Sequence, residues 1–445
     1  MSVRVRFAPS PTGHVHIGNI RVAIFNWLFA RHKGGRFLLR IEDTDRERST
    51  PEAVRAVFDA LEWLGLDYDE PPLYQSQRTA AHREAAERLL RAGRAYREDK
   101  GGTGRGECIV FKMPAADMAF HDEIKGELRK AAADLKDFVI VRSDGAPVFH
   151  LANVVDDIAM GITHVIRGDD HIENTYRHVA LFRALDATPP RYAHLPMIVN
   201  AQGKPYSKRD GAAYVGEFRQ KGFCAEALLN YLALLGWSPG QDREKLTRAE
   251  MVQLFTLERV KSGAAQMDLR KLTHLNGRYL AEMPLETFAR HVRQALPACA
   301  WTANLDEALF LKVCALMQSR TTLFTQGADW AYFFVDLPAY EPQAVEKHLR
   351  RAGAAAALAA LRTRLEAWDG SRQGAEQALR QTEAAAGLGP GALNQPARVA
   401  LTGSAIGAGI YETMELLGRE KTLQRLSYAL EHVVRQEQRG SDAHV

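Results

Sequence analysis

The chain has 445 residues, 46% of them apolar and 25% charged, with 58 lysines and arginines against 54 aspartates and glutamates. That length is too great for one ordinary core, and the mild basic excess permits an anionic partner without demanding one, because a nucleic-acid footprint depends on clustering. No apolar run approaches the ~18 residues of a membrane span, and Cys108, Cys224, Cys299 and Cys314, with no CxxC pair, argue against a disulfide scaffold and against zinc.

The N-terminus has no signal-peptide core, and with the cysteine usage this points to a reducing cytoplasm. "VRVRFA" (3–8) puts Val3, Val5 and Phe7 on one face and Arg4 and Arg6 on the other, the period of a strand. "PSPTGHVHIGN" (9–19) then crowds prolines and glycines around two histidines, a density that suits close approach to a ligand. Ile20, Ala23, Ile24, Trp27 and Leu28 follow with the spacing of an amphipathic helix, which Gly34 and Gly35 stop. "RFLLRI" (36–41) reads as a buried strand. Strand, helix and strand make a βαβ unit of a parallel sheet, whose ligands sit at the carboxyl ends of the strands. The opening turn and "EDTD" (42–45) lie at two such ends.

Ser49, Pro51 and Glu52 predict the next helix start, and Gly65 its end. From about 94 to 165 the glycine-rich "KGGTGRGE" precedes "CIVFKM", "DFVIVRS" and "PVFHLANVV", all strand-like, so a mainly β insertion is expected. "THVIRGDDH" (163–171) and "YAHLPMIVN" (192–200) read as strands returning to the parallel sheet, with a helix between them. "GKPYSKRDG" (203–211) offers Lys204, Lys208 and Arg209 on a loop that Pro205 keeps out of a helix. Past about 240 strands are expected to cease: Thr247 and Glu250 form a capping box, and 300–445 is helical by composition, with a polar tail "GSDAHV".

Taken singly these motifs are weak, since a histidine beside a glycine or a basic turn recurs by chance. Together they resemble the class I aminoacyl-tRNA synthetases, and among these the bacterial glutamyl-tRNA synthetases. "RFAPSPTGHVHIGN", "RIEDTDRERS", "LEWLGLDYDE", "DFVIVRSDGAPVFHLANVVDD", "GITHVIRGDDHIENT", "AHLPMIV", "YSKRDGAA" and "PARVALTG" stand in that family's order along nearly the whole chain, most weakly between about 285 and 390.

The resemblance implies a parallel Rossmann-type α/β catalytic domain (1–95 and 166–240) carrying the Ser-Lys-Arg loop. A mixed β-rich insertion (96–165) would bind the acceptor end, a helical stem-contact region (241–300) would follow, and an all-helical region (301–445) would read the anticodon. It implies ATP-dependent ligation of L-glutamate to the 3′ end of tRNA(Glu) through an adenylate, with activation generally waiting for tRNA. Catalysis would fall to His16, Gly18 and Lys208, with ATP bound by His16, Gly18, Ser207, Lys208 and Arg209. Glutamate would be bound by Arg6, Ala8, Ser10, Glu42, Phe149 and Arg167, the arginines taking carboxylates and Glu42 the ammonium. Arg398 is the candidate for tRNA contact.

Mg²⁺ is expected with ATP, zinc is not, and a cytoplasmic monomer is the expected state. Three alternatives stand beside this: charging of tRNA(Gln) as well, an enzyme that glutamylates a modified tRNA base, and a tRNA-binding paralogue without ligase activity. The sequence departs from the family at Pro205-Tyr206, where a lysine and a leucine are common, and at Phe149, where a tyrosine is common. Lys204 is the candidate to replace the missing lysine.

Overall fold

The computed structural model describes residues 2–45, 48–99, 106–298, 300–303 and 305–434. The glycine-rich turn at 100–105, Cys299 and the polar tail from 440 lie outside the described residues. The chain divides into two compact units, 1–275 and 276–445.

In the first unit β1 (Arg4–Phe7) pairs in parallel with β2 (Arg36–Ile41), and β2 with β3 (Leu73–Tyr74). The crossover is α1 (Ile17–His32). Its buried set extends beyond the expected stripe to Phe25, Asn26, Phe29 and Ala30, so α1 is enclosed on nearly every side rather than amphipathic. Asn26 is tolerated there because its amide donates to the Ile166 carbonyl at 2.9 Å. α2 (Pro51–Leu64) is capped by the hydroxyl of Thr50, which accepts from the Ala53 amide at 3.2 Å, and not by Ser49. Pro51 directly follows the true cap, and Gly65 closes the helix in the left-handed region at φ +63°.

After α3 (Thr79–Arg91), the strands β4 (Ala95–Asp99), β5 (Glu107–Phe111) and β8 (Phe138–Val141) form an antiparallel sheet. Between them the hairpin of β6 (Met118–Asp122) and β7 (Gly126–Lys130) joins the larger sheet instead, β6 pairing with β10 (Arg191–Leu195). The strand-like "PVFHLANVV" is contradicted: α4 (Phe149–Ala159) occupies it and runs on through Asp156 and Asp157. A strand would send those two carboxylates to opposite faces, whereas the helix turns both inward onto separate groups of cations.

β9 (His164–Gly168) and β10 are parallel, with Arg167 opposite His194, and α5 (Ile172–Ala184) connects them. β9 lies beside β1, where the Thr163 amide donates to the Arg4 carbonyl at 3.0 Å and the Arg4 amide to the Thr163 hydroxyl at 2.9 Å. Connections leave β1 and β9 in opposite directions, so this pair is the switch point of a doubly wound sheet, where a cleft opens at the carboxyl ends.

The helices α6 (Val215–Gln220), α7 (Ala225–Leu234) and α8 (Arg248–Leu254) follow, the last with the expected Thr247–Glu250 capping box. Strands do not cease at 240. β12 (Ala265–Gln266) pairs in parallel with β11 (Ile198–Val199), a two-residue contact too short to leave a period in the sequence. The division between the units falls within α9 (Leu269–Glu282).

The second unit is helical, with α10 (Leu285–Ala295), α11 (Glu307–Met317), α12 (Ala354–Leu365), α13 (Arg372–Ala385), α14 (Asn394–Thr402) and α15 (Ile410–Tyr428), and a longer run of short helical segments over 318–353 separates α11 from α12. Arg425, fully buried, donates to the carbonyls of Tyr332, Val335, Asp336 and Leu401 and ties the helices together. No helix among the described residues is long and apolar enough to cross a membrane.

Gly403 ends α14 at φ +77°, and a Cβ there would overlap the Ala339 carbonyl. Gly403→Ala is therefore expected to destabilise the helical unit by about 2–4 kcal/mol. A urea titration followed by circular dichroism measures this against Gly389→Ala, whose added methyl meets nothing within 4 Å. Equal midpoints for the two variants would refute the packing account.

Candidate active site

The carboxyl ends of β1, β2, β9 and β10 open into a cavity of about 460 Å³. Arg6, Ala8, Ser10, His16, Gly18, Glu42, Phe149 and Arg167 all line it. Ser207, Lys208 and Arg209 do not. They stand on the loop beyond Pro205 and Tyr206, which do reach the cavity.

His16 caps α1, its Nδ1 accepting the Gly18 amide at 3.1 Å. This places the ring proton on Nε2. Burial lowers the His16 pKa, against a hydrogen bond to the Tyr206 backbone and the charge of Glu217, so the ring is neutral at pH 7. A Cβ on Gly18 would lie 3.3 Å from that Nδ1, so the glycine serves the histidine cap itself. The turn is stitched to the segment after the basic loop: the Ile17 amide donates to the Ala213 carbonyl (2.9 Å) and the Val215 amide to the Val15 carbonyl (3.0 Å).

The basic loop has its own frame. Asp210 accepts from the Ser207 amide and hydroxyl, each at 2.9 Å, and from the Asn200 amide group at 2.8 Å. Tyr206 is buried, donates to the Ala212 carbonyl at 3.2 Å, and has its phenol pushed up to about 12 by burial and by Asp210 and Glu217. Lys208 is 74% exposed and its ammonium stands 3.9 Å from Glu217. Lys204 is exposed and does not line the cavity.

The amino-acid end of the cavity is built on buried charge. Asp157 accepts from Arg6 Nε at 3.1 Å and from Arg40 Nη1 at 2.5 Å; Glu42 accepts from Arg40 Nη2 and from the Asn153 amide group, both at 3.1 Å. Burial opposes ionisation of Asp157, but Arg40 and Arg6 hold its carboxyl below the usual range. Two cations and two anions make this cluster neutral.

Arg167 is different. It is 6% exposed and bonds only neutral groups: His194 Nε2 and His178 Nδ1 at 3.3 Å, the Thr175 hydroxyl at 2.7 Å and the His171 carbonyl at 3.3 Å. Burial lowers its pKa to about 10. A buried cation facing a cavity without a carboxylate partner is a receptor for an anion.

The sequence assigns His150 only as a stand-in for the hydroxyl missing at Phe149, and it assigns no role to Arg40, Asn153, Asp157, His178 or His194. The acids were hidden by the strand reading of α4; continuing the helical count through "NVVDD" would have exposed them. In the second unit Arg398 is half-buried and donates to the Ala408 carbonyl, the pattern of an arginine bracing the 404–409 turn.

Among the described residues no group of three or more His, Cys, Asp or Glu side chains could hold a metal ion. Of the cavity acids, Glu42 is paired with Arg40 at 3.1 Å and Asp169 with Lys125 at 2.8 Å, while Asp170 is largely exposed.

Comparison with known proteins finds relatives along nearly the whole chain. The family described as "tRNA synthetases class I (E and Q), catalytic domain" matches residues 2–103 and 98–274. The chain belongs to this family. An anticodon-binding-domain family matches residues 287–430. A glutamate–tRNA ligase of Xanthomonas axonopodis is 42% identical over 97% of this chain and 99% of its own, and one from Legionella pneumophila 39% over 97% and 98%. A crystal structure of a glutamate tRNA ligase from Elizabethkingia meningosepticum in complex with its amino acid superposes with a TM-score of 0.87 at 29% identity, covering 97% of this chain and all of the other. The Elizabethkingia anophelis enzyme gives 0.83 at 29% identity over the same shares.

The histidines around Arg167 predict how this synthetase responds to acid. Burial, then Arg167, holds His178 well below its usual 6.5. Burial, then Arg177 and Arg167, pushes His150 down to about 4. Unfolding releases both to ordinary values, so the unfolded chain binds more protons below pH 6.5. Their stabilising effect is complete above pH 6.5 and is lost as the pH falls from 6.5 towards 4. The stability that the lowered carboxyl of Asp157 contributes is present above its ordinary 3.8 and is lost only as the pH falls below that value, a separate window. Urea midpoints at pH 7 and pH 5 should differ, and His178→Gln should flatten that dependence by up to about 1.4 kcal/mol per pH unit. An unchanged slope would contradict a neutral buried His178.

Proposed function

We propose that the protein is a glutamate–tRNA ligase, joining L-glutamate to the 3′ end of tRNA(Glu) at the expense of ATP. The observation that carries this reading is Arg167, a buried cation with no carboxylate partner, at the strand-end cavity of a class I synthetase sheet. In this reading glutamate's carboxylates pair with Arg167 and with Arg6, whose Nη1 is not used by Asp157. Glu42, already neutralised by Arg40, orients the ammonium through its remaining oxygen. Ala8 and Ser10 form the floor beside the first turn, and Phe149 supplies an apolar wall without a hydroxyl contact.

The α-carboxylate oxygen then attacks the α-phosphorus of ATP. The new P–O bond forms as the bond to the β-phosphate oxygen breaks, leaving glutamyl-adenylate and pyrophosphate. The ribose hydroxyl at the tRNA 3′ end next attacks the acyl carbon and AMP departs. The protein contributes position and charge rather than a nucleophile. His16 Nε2–H turns from the Tyr206 backbone to a phosphate oxygen when the 200–211 loop shifts. The same shift carries Ser207, Lys208 and Arg209 towards the phosphates. Mg²⁺, expected with ATP, would supply charge neutralisation at the phosphates.

The 96–165 insertion would take the acceptor end, 241–300 the stem and 301–445 the anticodon, in the cytoplasm and as a monomer. Arg398 would first have to leave the Ala408 carbonyl to touch tRNA. The anticodon-domain match at 287–430 favours this reading over the base-glutamylating enzyme, which lacks such a region. Aminoacylation of purified tRNA(Glu) and tRNA(Gln) with labelled glutamate tests the proposal. Transfer to neither tRNA would leave the inactive paralogue, and transfer to both would define the broader enzyme.

Lys208→Ala is expected to keep the fold and lower the adenylation rate by about 10²–10³, the scale of one lost transition-state donor. An unchanged kcat in a folded variant would remove Lys208 from the site. Arg167→Met is expected to lower kcat/KM for glutamate by about 10²–10⁴ and to abolish preference over glutamine. Retained discrimination would place the side-chain carboxylate elsewhere.

A further inference from the structure

Arg167 is held differently on its two sides. Towards β10 the pairing is complete. His194 Nδ1 donates to Asp122 Oδ2 at 2.6 Å, which leaves the one Nε2 lone pair to accept from Arg167 Nε at 3.3 Å, while the Thr175 hydroxyl, 3.0 Å from Nε2, donates to the His171 carbonyl at 3.2 Å and accepts from Arg167 Nη2 at 2.7 Å. Towards α4 a second chain runs from Arg167 Nη1 to His178 Nδ1 (3.3 Å), from His178 Nε2 to His150 Nδ1 (3.2 Å), and from His150 Nε2 to Arg177 Nη1 (3.1 Å).

This second chain has one proton too many. Both ends are guanidinium groups, which only donate, and a neutral imidazole supplies one donor and one acceptor. Three contacts need three acceptors, but two neutral rings provide two. Either ring becoming cationic would remove another acceptor, and both rings are neutral at pH 7. One of the three contacts is therefore always donor against donor, and neither ring has a further hydrogen-bond partner.

We propose that His150 and His178 form a tautomeric relay whose single mismatch falls on Arg167, on Arg177 or on the contact between the two rings, so that both histidines are positioning residues for Arg167. With both ring protons on Nε2, His178 accepts from Arg167 and the mismatch falls on Arg177, which is half-exposed and turns to water. With both on Nδ1, Arg177 is seated on His150, its guanidinium 5.4 Å above the Phe138 ring of the β8 sheet, and Arg167 lacks an acceptor on that side. A carboxylate that takes over the Nη1 proton now directed at His178, rather than the second Nη1 proton, makes the second arrangement the satisfied one. Occupation of the cavity by an anion is thereby linked to the seating of Arg177, a residue of α5, against a different sheet, with no backbone movement required. The inference rests on the reading of Arg167 as the carboxylate-binding cation.

Full-length protein labelled with ¹⁵N-histidine tests it, because imidazole nitrogen shifts report which nitrogen carries the proton. Arg167→Met should drive both rings to Nδ1–H, and Arg177→Met should drive both to Nε2–H. Wild type saturated with L-glutamate should show the Arg167→Met pattern. Identical tautomers in the two variants would overturn the relay, whether or not L-glutamate binds. Should Arg167→Met fail to fold, wild type with L-glutamate set against Arg177→Met makes the same comparison, and bound glutamate with both rings on Nε2–H overturns the relay. Failure of L-glutamate to bind wild type at all would instead count against the cavity reading, with the variant tautomers still deciding the relay.

Discussion

Asp157 lies fully buried between Arg6 on β1 and Arg40 on β2, and the site at the sheet's carboxyl edge depends on that carboxylate. Two guanidinium groups on neighbouring strands would repel and would each bear an uncompensated desolvation cost of several kcal/mol. Asp157 joins them, and Glu42 with Asn153 completes a neutral cluster. The cluster fixes the positions of Arg6 and Glu42 as cavity walls while leaving no net charge behind them. Arg167, set on β9 across the switch point from β1, remains without an acid. Attraction for an anion is thus concentrated at Arg167 and at Arg21, a second buried arginine of the cavity that donates only to the Pro196 and Leu235 carbonyls.

The nucleotide end is governed by backbone rather than by charge. His16 is held from below by the Gly18 amide and from above by the Tyr206 backbone. The amides of Ile17 and Val215 tie the first turn to residues directly following the basic loop. A displacement of that loop must therefore be felt at His16. Lys208, almost free in solvent, is the cation with the least to lose by moving, since an exposed pair at 3.9 Å contributes little.

Around Arg167 the protein uses neutral histidines where it could have used acids. A carboxylate beside Arg167 would satisfy it permanently and would repel an incoming carboxylate. Imidazole and hydroxyl partners hold the guanidinium in place while leaving its charge available. The cost is that these rings must stay neutral, which burial secures and acid removes.

Local chemistry made much of this legible without coordinates. The period of two in "VRVRFA", the glycine and proline density before α1, and the capping box at Thr247 each state a backbone preference that tertiary structure had no reason to override. The strand-end position of Arg6, Glu42 and Arg167 followed from the βαβ order. What sequence could not decide was pairing across distance. That Arg6 shares Asp157 with Arg40, that Asp156 faces Arg78 and His82, and that Arg167 is met by imidazoles and a hydroxyl instead of an acid are facts about elements far apart in the chain. α4 was misread for the same reason: its buried carboxylates make sense only beside cations brought by β1, β2 and the start of α3. The cap of α2 moved from Ser49 to Thr50 because both hydroxyls suit the role locally, and the backbone path into Pro51 chose between them. Which residues carry charge was written in the sequence; which charges remain unpaired was decided only when the fold brought them together.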